Sequence, residues 1–399
     1  MDTPEKLLQP DELPRTMKEY TKTIDRSPTS ERDIAESYFK GRVSAPFKVI
    51  CEATYRCNAK CIHCYTPTPH PYRITELTLE EWKKVFDDIS DMGAFRAIFT
   101  GGEPLLREDL FEMVEHVHNL GLAATLETNG SLLNRKTIEK LVNAGINVIS
   151  ISLNRSTPHD YDIFSGYKGL FNKVIDDFRI LKDYSVDTAV FATVTKVNMK
   201  DIPEIIDIAA DVEAGRIAFV HLSPAGRAKT NPALYPTPQE HIDLLKRIHE
   251  KELQHPDLVI KYPNLPAFYF QESTGLDVYE KIQKRRGYIE LCPAGTTSYV
   301  IDPGGNVKPC TVTAETVMGN VKKDSLRDIW LSSPILEHLR DTKKHMETPC
   351  DKCDLVDICV AGHRCLDYQL DYLKDHENRL AAPLCEQCYQ YKHAKGTHQ

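Results

Sequence analysis

The sequence predicts an α/β protein: a parallel sheet curled into an open or partial (β/α)6 TIM-like barrel, followed by a small cysteine-rich metal-binding domain. Three observations predict it. Short apolar strands alternate with amphipathic helical stretches from Pro46 to about residue 228. Loops rich in Gly, Asn, Ser and charged residues follow those strands, on the face where α/β barrels gather their chemistry. The twelve cysteines fall mainly into two groups, one near the start and one in the last quarter. A flat doubly wound sheet would share the alternation.

The elements follow in order. Residues 1–45 are a polar lead-in with turn formers such as Ser27-Pro28-Thr29-Ser30. Phe47–Cys51 reads as a strand, and the loop Cys57-x3-Cys61-x2-Cys64 comes after it. Thr78-Leu79-Glu80-Glu81 has capping-box form, Trp82, Val85, Phe86 and Ile89 recur at helical spacing, and Gly93 stops the helix. Strand Phe95–Thr100 runs into Gly101-Gly102-Glu103-Pro104, helix Asp109–Leu120 follows, and strand Ala123–Thr128 ends at Asn129-Gly130. Helix Arg135–Ala144, strand Val148–Leu153 with Asn154-Arg155, helix Leu170–Tyr184, strand Thr188–Thr195, helix Ile202–Val212 and strand Ile217–Leu222 complete six strand-led units spanning 46–228. Residues 229–290 break the rhythm with prolines and a helix over Gln239–Leu253, and are expected to act as a connector. The cysteine-rich domain occupies 291–399.

Composition bounds the function. The chain has 399 residues, 41% hydrophobic and 27% charged, with a formal net charge of −8 and no long basic run. Nucleic acid is therefore not expected as a partner. No apolar run is long enough to span a bilayer, and the opening residues do not resemble a signal peptide, so a cytoplasmic protein without a membrane partner is expected. Clustered cysteines in a reducing compartment point to metal or catalysis rather than disulfides.

Soft thiolates at the spacing of Cys57, Cys61 and Cys64 suit an iron–sulfur cluster or zinc. Zinc would need a fourth ligand such as His63 or His70, whereas a four-iron cluster held by three cysteines leaves one iron open. In the last quarter, Cys350-x2-Cys353 with Cys385-x2-Cys388 would make a four-cysteine zinc site.

The triple-cysteine loop resembles the signature of radical S-adenosylmethionine (SAM) enzymes, and Thr100-Gly101-Gly102-Glu103-Pro104 resembles that family's second motif. The resemblance implies a [4Fe-4S] cluster on Cys57, Cys61 and Cys64 whose open iron chelates SAM, reductive cleavage of SAM to a 5′-deoxyadenosyl radical, and hydrogen abstraction from a substrate. It assigns SAM contacts to Gly101, Gly102, Glu103 and Pro104, to Thr128 and Asn129, and to Ser152 and Asn154. Relatives often hold the SAM carboxylate with an arginine about ten residues after the Ser152 segment. Ile163, Phe164 and Ser165 stand there instead, with Arg155 and Lys168 as the nearby cations.

The later cysteines, with Val300-Ile301-Asp302-Pro303-Gly304-Gly305 ahead of Cys310, resemble the SPASM extension, which carries one or two auxiliary [4Fe-4S] clusters. By order, Cys292, Cys310 and Cys365 would serve the first cluster and Cys350, Cys353, Cys359 and Cys385 the second, with Cys388 spare. His363 stands where relatives carry a cysteine, so His363 or Cys365 is a candidate ligand.

The class implies an oxidoreductase that modifies a ribosomal peptide or protein side chain by cross-linking, epimerisation or oxidation. Tetrapyrrole side-chain modification ranks second. A reducing partner such as ferredoxin or flavodoxin is implied. Sulfatase maturation fits less well, because Thr311 stands where those enzymes place an aspartate, leaving Asp302 and Glu315 as the nearby acids. The reading from another class is a non-catalytic iron–sulfur or zinc protein.

Overall fold

The computed structural model describes residues 44–66, 74–223, 225–261, 293–313 and 316–340. Its centre is one sheet of linear order, in which the six expected strands lie side by side and parallel. They are β1 (Lys48–Thr54), β2 (Arg96–Gly101), β3 (Ala123–Thr128), β4 (Val148–Ser152), β5 (Asp187–Val194) and β6 (Arg216–His221). Helices α1 (Leu79–Met92), α2 (Leu110–Asn119), α3 (Arg135–Asn143), α4 (Pro158–Ser165), α5 (Leu170–Leu181) and α6 (Ile202–Asp211) return the chain between them. Each crossover satisfies its backbone internally, so the polar loops are left at the strand ends.

Both edges of this six-strand unit are extended. Helix α7 (Pro238–Gln254) leads to β7 (Val259–Lys261), which adds parallel to β6. Residues 229–261 therefore continue the alternation. At the other edge, β8 (Ser298–Ile301) joins β1 in parallel and turns through Asp302–Gly305 into the antiparallel β9 (Asn306–Lys308) and β10 (Gly319–Asn320). Two short helices, α8 (Leu326–Ser332) and α9 (Pro334–Arg340), follow. The described part of the C-terminal region thus shares the sheet of the N-terminal body.

Local signals act as the sequence indicates. The Thr78 hydroxyl accepts from the Glu81 amide at 3.3 Å and the Glu81 carboxylate accepts from the Thr78 amide at 2.8 Å, which closes the capping box on α1. Gly93 ends α1 in the left-handed region, at φ 92°.

The two faces of the sheet differ sharply. Val49, Cys51, Ala53, Phe99, Leu126, Ile149, Ile151, Val190, Ala192 and Ile217 form one cluster with Trp82, Phe86, Val114, Ile138, Phe178 and Ile205 of the helices. By strand alternation the residues between them point the other way. That inner face carries Glu52, Thr100, Thr125, Glu127, Ser150, Ser152 and Thr193, and Ile50, Glu127, Ser152, Phe191, Thr193 and Val220 are only half-buried. No described helix is long and apolar enough to cross a membrane.

Candidate functional site

The loop after β1 crosses the end of the sheet at which the strands finish, and three neighbouring segments grip it. The first is the β2 end. The Gly102 amide donates to the Thr54 carbonyl at 2.7 Å, and the Glu103 amide donates to the Arg56 carbonyl at 2.8 Å. A Cβ on Gly102 would overlap the Arg56 carbonyl oxygen and lie 2.9 Å from the Tyr55 carbonyl carbon, so only glycine admits this approach. The second grip comes from the end of α4, where the Ser165 and Phe164 carbonyls accept from the Lys60 and Ile62 amides at 2.8 and 3.1 Å. The third follows β6. Arg227 donates its amide to the Cys64 carbonyl at 2.9 Å and its Nε to the Cys61 carbonyl at 2.7 Å. Gly226, at φ 54°, leaves no room for a side chain against Cys64 and Tyr65.

Within this grip the three thiols are half-buried and feel one another's charge. Burial pushes all three thiols up, Cys61 to about 12, with Cys64 and Cys57 adding to the effect there and Arg227 opposing it. Iron would therefore have to displace three protons, which couples cluster loading to proton release. Cys57, Cys61 and Cys64 stand on this one loop, and three thiolates suit a multi-iron cluster, whose separate irons each take one. The His63 ring stacks on Phe164 at 4.7 Å, and burial followed by the Arg227 charge lowers it to about 4. His70 lies outside the described residues.

The residues matched to SAM contacts mostly tie strand ends together. Glu103 is fully buried, and its carboxylate accepts from the Thr128 hydroxyl at 2.7 Å, the Asn129 amide at 2.8 Å and the Leu105 amide at 3.2 Å. It therefore faces the β3 end, not open space. Pro104 opens a short helical turn behind it. The Asn129 side-chain oxygen accepts from the Ser131 amide at 2.8 Å, which turns its Nδ2 toward Asn58 Oδ1 at 3.0 Å and Cys57 Sγ at 3.9 Å. Asn154 Oδ1 accepts from the Thr193 amide at 2.8 Å and so links β4 to β5. Ser152 stays half-buried on the inner face, its carbonyl accepting from the Tyr161 hydroxyl at 2.6 Å. Arg155 is buried against Asp201 and, at 3.1 Å, Asp160, whereas Lys168 is exposed.

Of the later cysteines, Cys310 is described. It follows β9 and packs against the small cluster of Ala225 and Val312, against which Tyr65, the residue after Cys64, also packs. A buried charged group ties β9 to β1 across β8. Lys308 Nζ donates to Glu52 Oε2 at 3.0 Å and to the Tyr55 hydroxyl at 2.9 Å, and that hydroxyl donates to Glu52 at 2.8 Å. Asp302 holds the preceding turn by accepting from the Gly304 and Asn306 amides, both at 2.9 Å. Cys292, Glu315, Cys350, Cys353, Cys359, His363, Cys365, Cys385 and Cys388 lie outside the described residues. Sequence reasoning missed Asn58, Ser131, Lys308 and the inner-face pair Glu52 and Glu127. The signal available for that pair was a lone acid at an alternate position of an apolar strand.

Comparison with known proteins agrees with this geometry. Residues 51–209 match the Radical SAM superfamily, and residues 292–354 match an iron–sulfur cluster-binding domain, SPASM. The chain is 28% identical over 349 residues to an AdoMet-dependent heme synthase of Methanosarcina barkeri, covering 85% of this chain and 98% of the relative. It is 30% identical over 334 residues to a PqqA peptide cyclase of Rhodopseudomonas palustris, covering 82% and 84%. In structure it is similar to Streptococcus suis SuiB bound to its precursor peptide SuiA, with a TM-score of 0.69 at 18% identity over 91% of this chain and 83% of that one.

Proposed function

Since the chain belongs to the radical SAM superfamily and carries its SPASM iron–sulfur domain, we propose that this enzyme modifies a side chain of a ribosomal peptide or protein. The observation that carries the reading is the gripped triple-cysteine loop, which hangs over a half-open polar inner face where a substrate would lie. In this reading Cys57, Cys61 and Cys64 hold a [4Fe-4S] cluster. When bound and reduced, by a partner such as a ferredoxin or flavodoxin, the cluster and SAM supply a 5′-deoxyadenosyl radical that takes hydrogen from the substrate.

The chain's own residues set the conditions for that chemistry. Gly101 and Gly102 bring the β2 end against the loop stem, and Gly226 and Arg227 close it from β6. Glu103 orients Thr128 and Asn129, and Ser152 faces the same chamber. Pro104 and Asn154 fix the backbones that present these groups. Cys310 and Tyr65 pack against the same Ala225–Val312 cluster, which ties the strand end that carries Cys310 to the cysteine loop. The peptide reading is supported by the PqqA peptide cyclases and by the peptide-bound SuiB fold. A tetrapyrrole substrate is the second reading, supported by the heme synthase relative matched over 98% of its length.

The test is anaerobic reconstitution followed by dithionite and SAM. Formation of 5′-deoxyadenosine by the native chain, and its loss in Cys57→Ala, is the expected result. Faster formation with short precursor peptides than with iron porphyrins supports the first substrate, and the reverse order supports the second. Equal SAM cleavage by native and Cys57→Ala protein overturns the assignment of the loop.

A further inference from the structure

We propose that the inner face of the sheet contains a recognition site for a cationic group of the substrate, an amine or a guanidinium, built on Glu127 and Thr125 of β3. The inference rests on the proposed role of that face as the substrate chamber. In β3, Ala124 and Leu126 are fully buried against the helices, so Thr125 and Glu127 point to the opposite side. Glu127 lies beside Ser150 of β4 in the sheet register and is half-buried.

Glu52 and Glu127 both sit on this face, and the protein treats them differently. Glu52 is closed off at 1% exposure, bonded to Lys308 and to the Tyr55 hydroxyl. Glu127 has no ion pair among the described residues. The groups that act on its charge are the Thr100 hydroxyl and Lys48, both of which favour the carboxylate, and its charge in turn acts on Tyr65, as that of Glu52 does. Burial raises its carboxyl, Thr100 and the Lys48 charge oppose that rise, and among the described residues no ion pair supplies a counter-charge.

A second observation points to the same ligand. Thr125 Oγ1 is buried, at 6% exposure for the residue, and has no hydrogen-bond partner among the described residues. It stands one pleat repeat from Glu127 on the same face, ~7 Å along the strand. A lone buried hydroxyl and an uncompensated carboxylate at that spacing suit a ligand that brings positive charge and several N–H donors together. Ser150 and Ser152 of β4 add neutral polar neighbours and no competing cation. A carboxylate ligand would meet Glu127 with like charge.

The experiment titrates the full chain with n-butylguanidinium and n-butylamine, with butyrate as the control, and follows binding by calorimetry. The expected result is that the native chain binds the two cations and not butyrate, that Glu127→Gln weakens cation binding about tenfold, and that Thr125→Val weakens it severalfold. Each variant is first matched to the native chain by circular dichroism. Equal cation binding by native and Glu127→Gln protein, or equal binding of butyrate and the cations, overturns the proposal. The probes need neither SAM nor a cluster, so a failure here leaves 5′-deoxyadenosine formation as an independent test of the function.

Discussion

The two faces of this sheet are built from alternate residues of the same strands, yet they follow opposite rules. Val49, Phe99, Leu126, Ile151 and Val190 on the outer face are fully buried and apolar, and the helices pack directly on them. A filled α/β barrel lines its interior with bulky branched side chains. Here the inner positions include Glu52, Thr100, Glu127, Ser150, Ser152 and Thr193 beside apolar Ile50, Phe191 and Val220, several of them half-buried. One face supplies the folding free energy, and the other is released from packing to meet a ligand. Strand alternation makes the division sharp, because slipping β3 by one residue would put Glu127 into the hydrophobic layer.

The strongest way to break that comparison uses two neighbours in the β2 segment. Gly102→Ala forces a methyl group against the Arg56 carbonyl and displaces the stem of the cysteine loop. After reconstitution, iron should fall by about four atoms per chain, the content of one cluster, and SAM cleavage should be lost. Phe99→Ala empties a fully buried outer position and should cost ~3–5 kcal/mol in denaturant melts. At temperatures where it remains folded, its iron content should match the native chain. If Phe99→Ala lost the cluster while Gly102→Ala kept it, the division of labour would be wrong.

Next in size is the charged group that seats β9. Lys308→Met leaves Glu52 charged and buried without its cation, which typically costs ~3–5 kcal/mol. Adding Glu52→Gln should recover much of that loss, because the uncompensated charge is gone. Denaturant melts of both variants measure the difference. Without recovery, Lys308 would be acting through something other than Glu52.

These cases show what the sequence could and could not disclose. The α1 capping box, the strand Ala123–Thr128 and the cysteine loop are legible because each depends on residues within a few positions. Helix α4 went unpredicted although Thr157 caps it and Pro158 begins it, since its eight residues show little amphipathic pattern. Strand β7 has three residues, too few to reveal a period, and β8 to β10 fall in a stretch dominated by glycine, proline and cysteine. The Lys308–Glu52 pair joins residues 256 positions apart, and no local pattern announces it. The resemblance implied SAM contacts for the glycines of the second motif. Only the fold reveals that the backbone approaching them is the stem of the cysteine loop.

The smallest expected effect sharpens the comparison from the outer side. Asp177 on α5 is buried at 2% exposure, and Lys173 Nζ donates to both of its oxygens at 3.0 Å. Burial still prevails and raises its carboxyl to about 6 from an ordinary 3.8. The folded chain thus retains a proton that the unfolded chain has released between those values. This contribution to stability is complete below about pH 4 and is lost as pH rises through about 6. Asp177→Asn keeps an oxygen for Lys173 and removes the titration. Guanidinium melts across that range should show a flatter pH dependence, with a gain at neutral pH and none under acid conditions. Its iron content and SAM cleavage should stay at native levels, because Asp177 lies in the helix layer behind Gly130 and its amide replacement has the same shape. A change in cluster content would mean that the outer layer also shapes the chamber, and the two faces would not be separable.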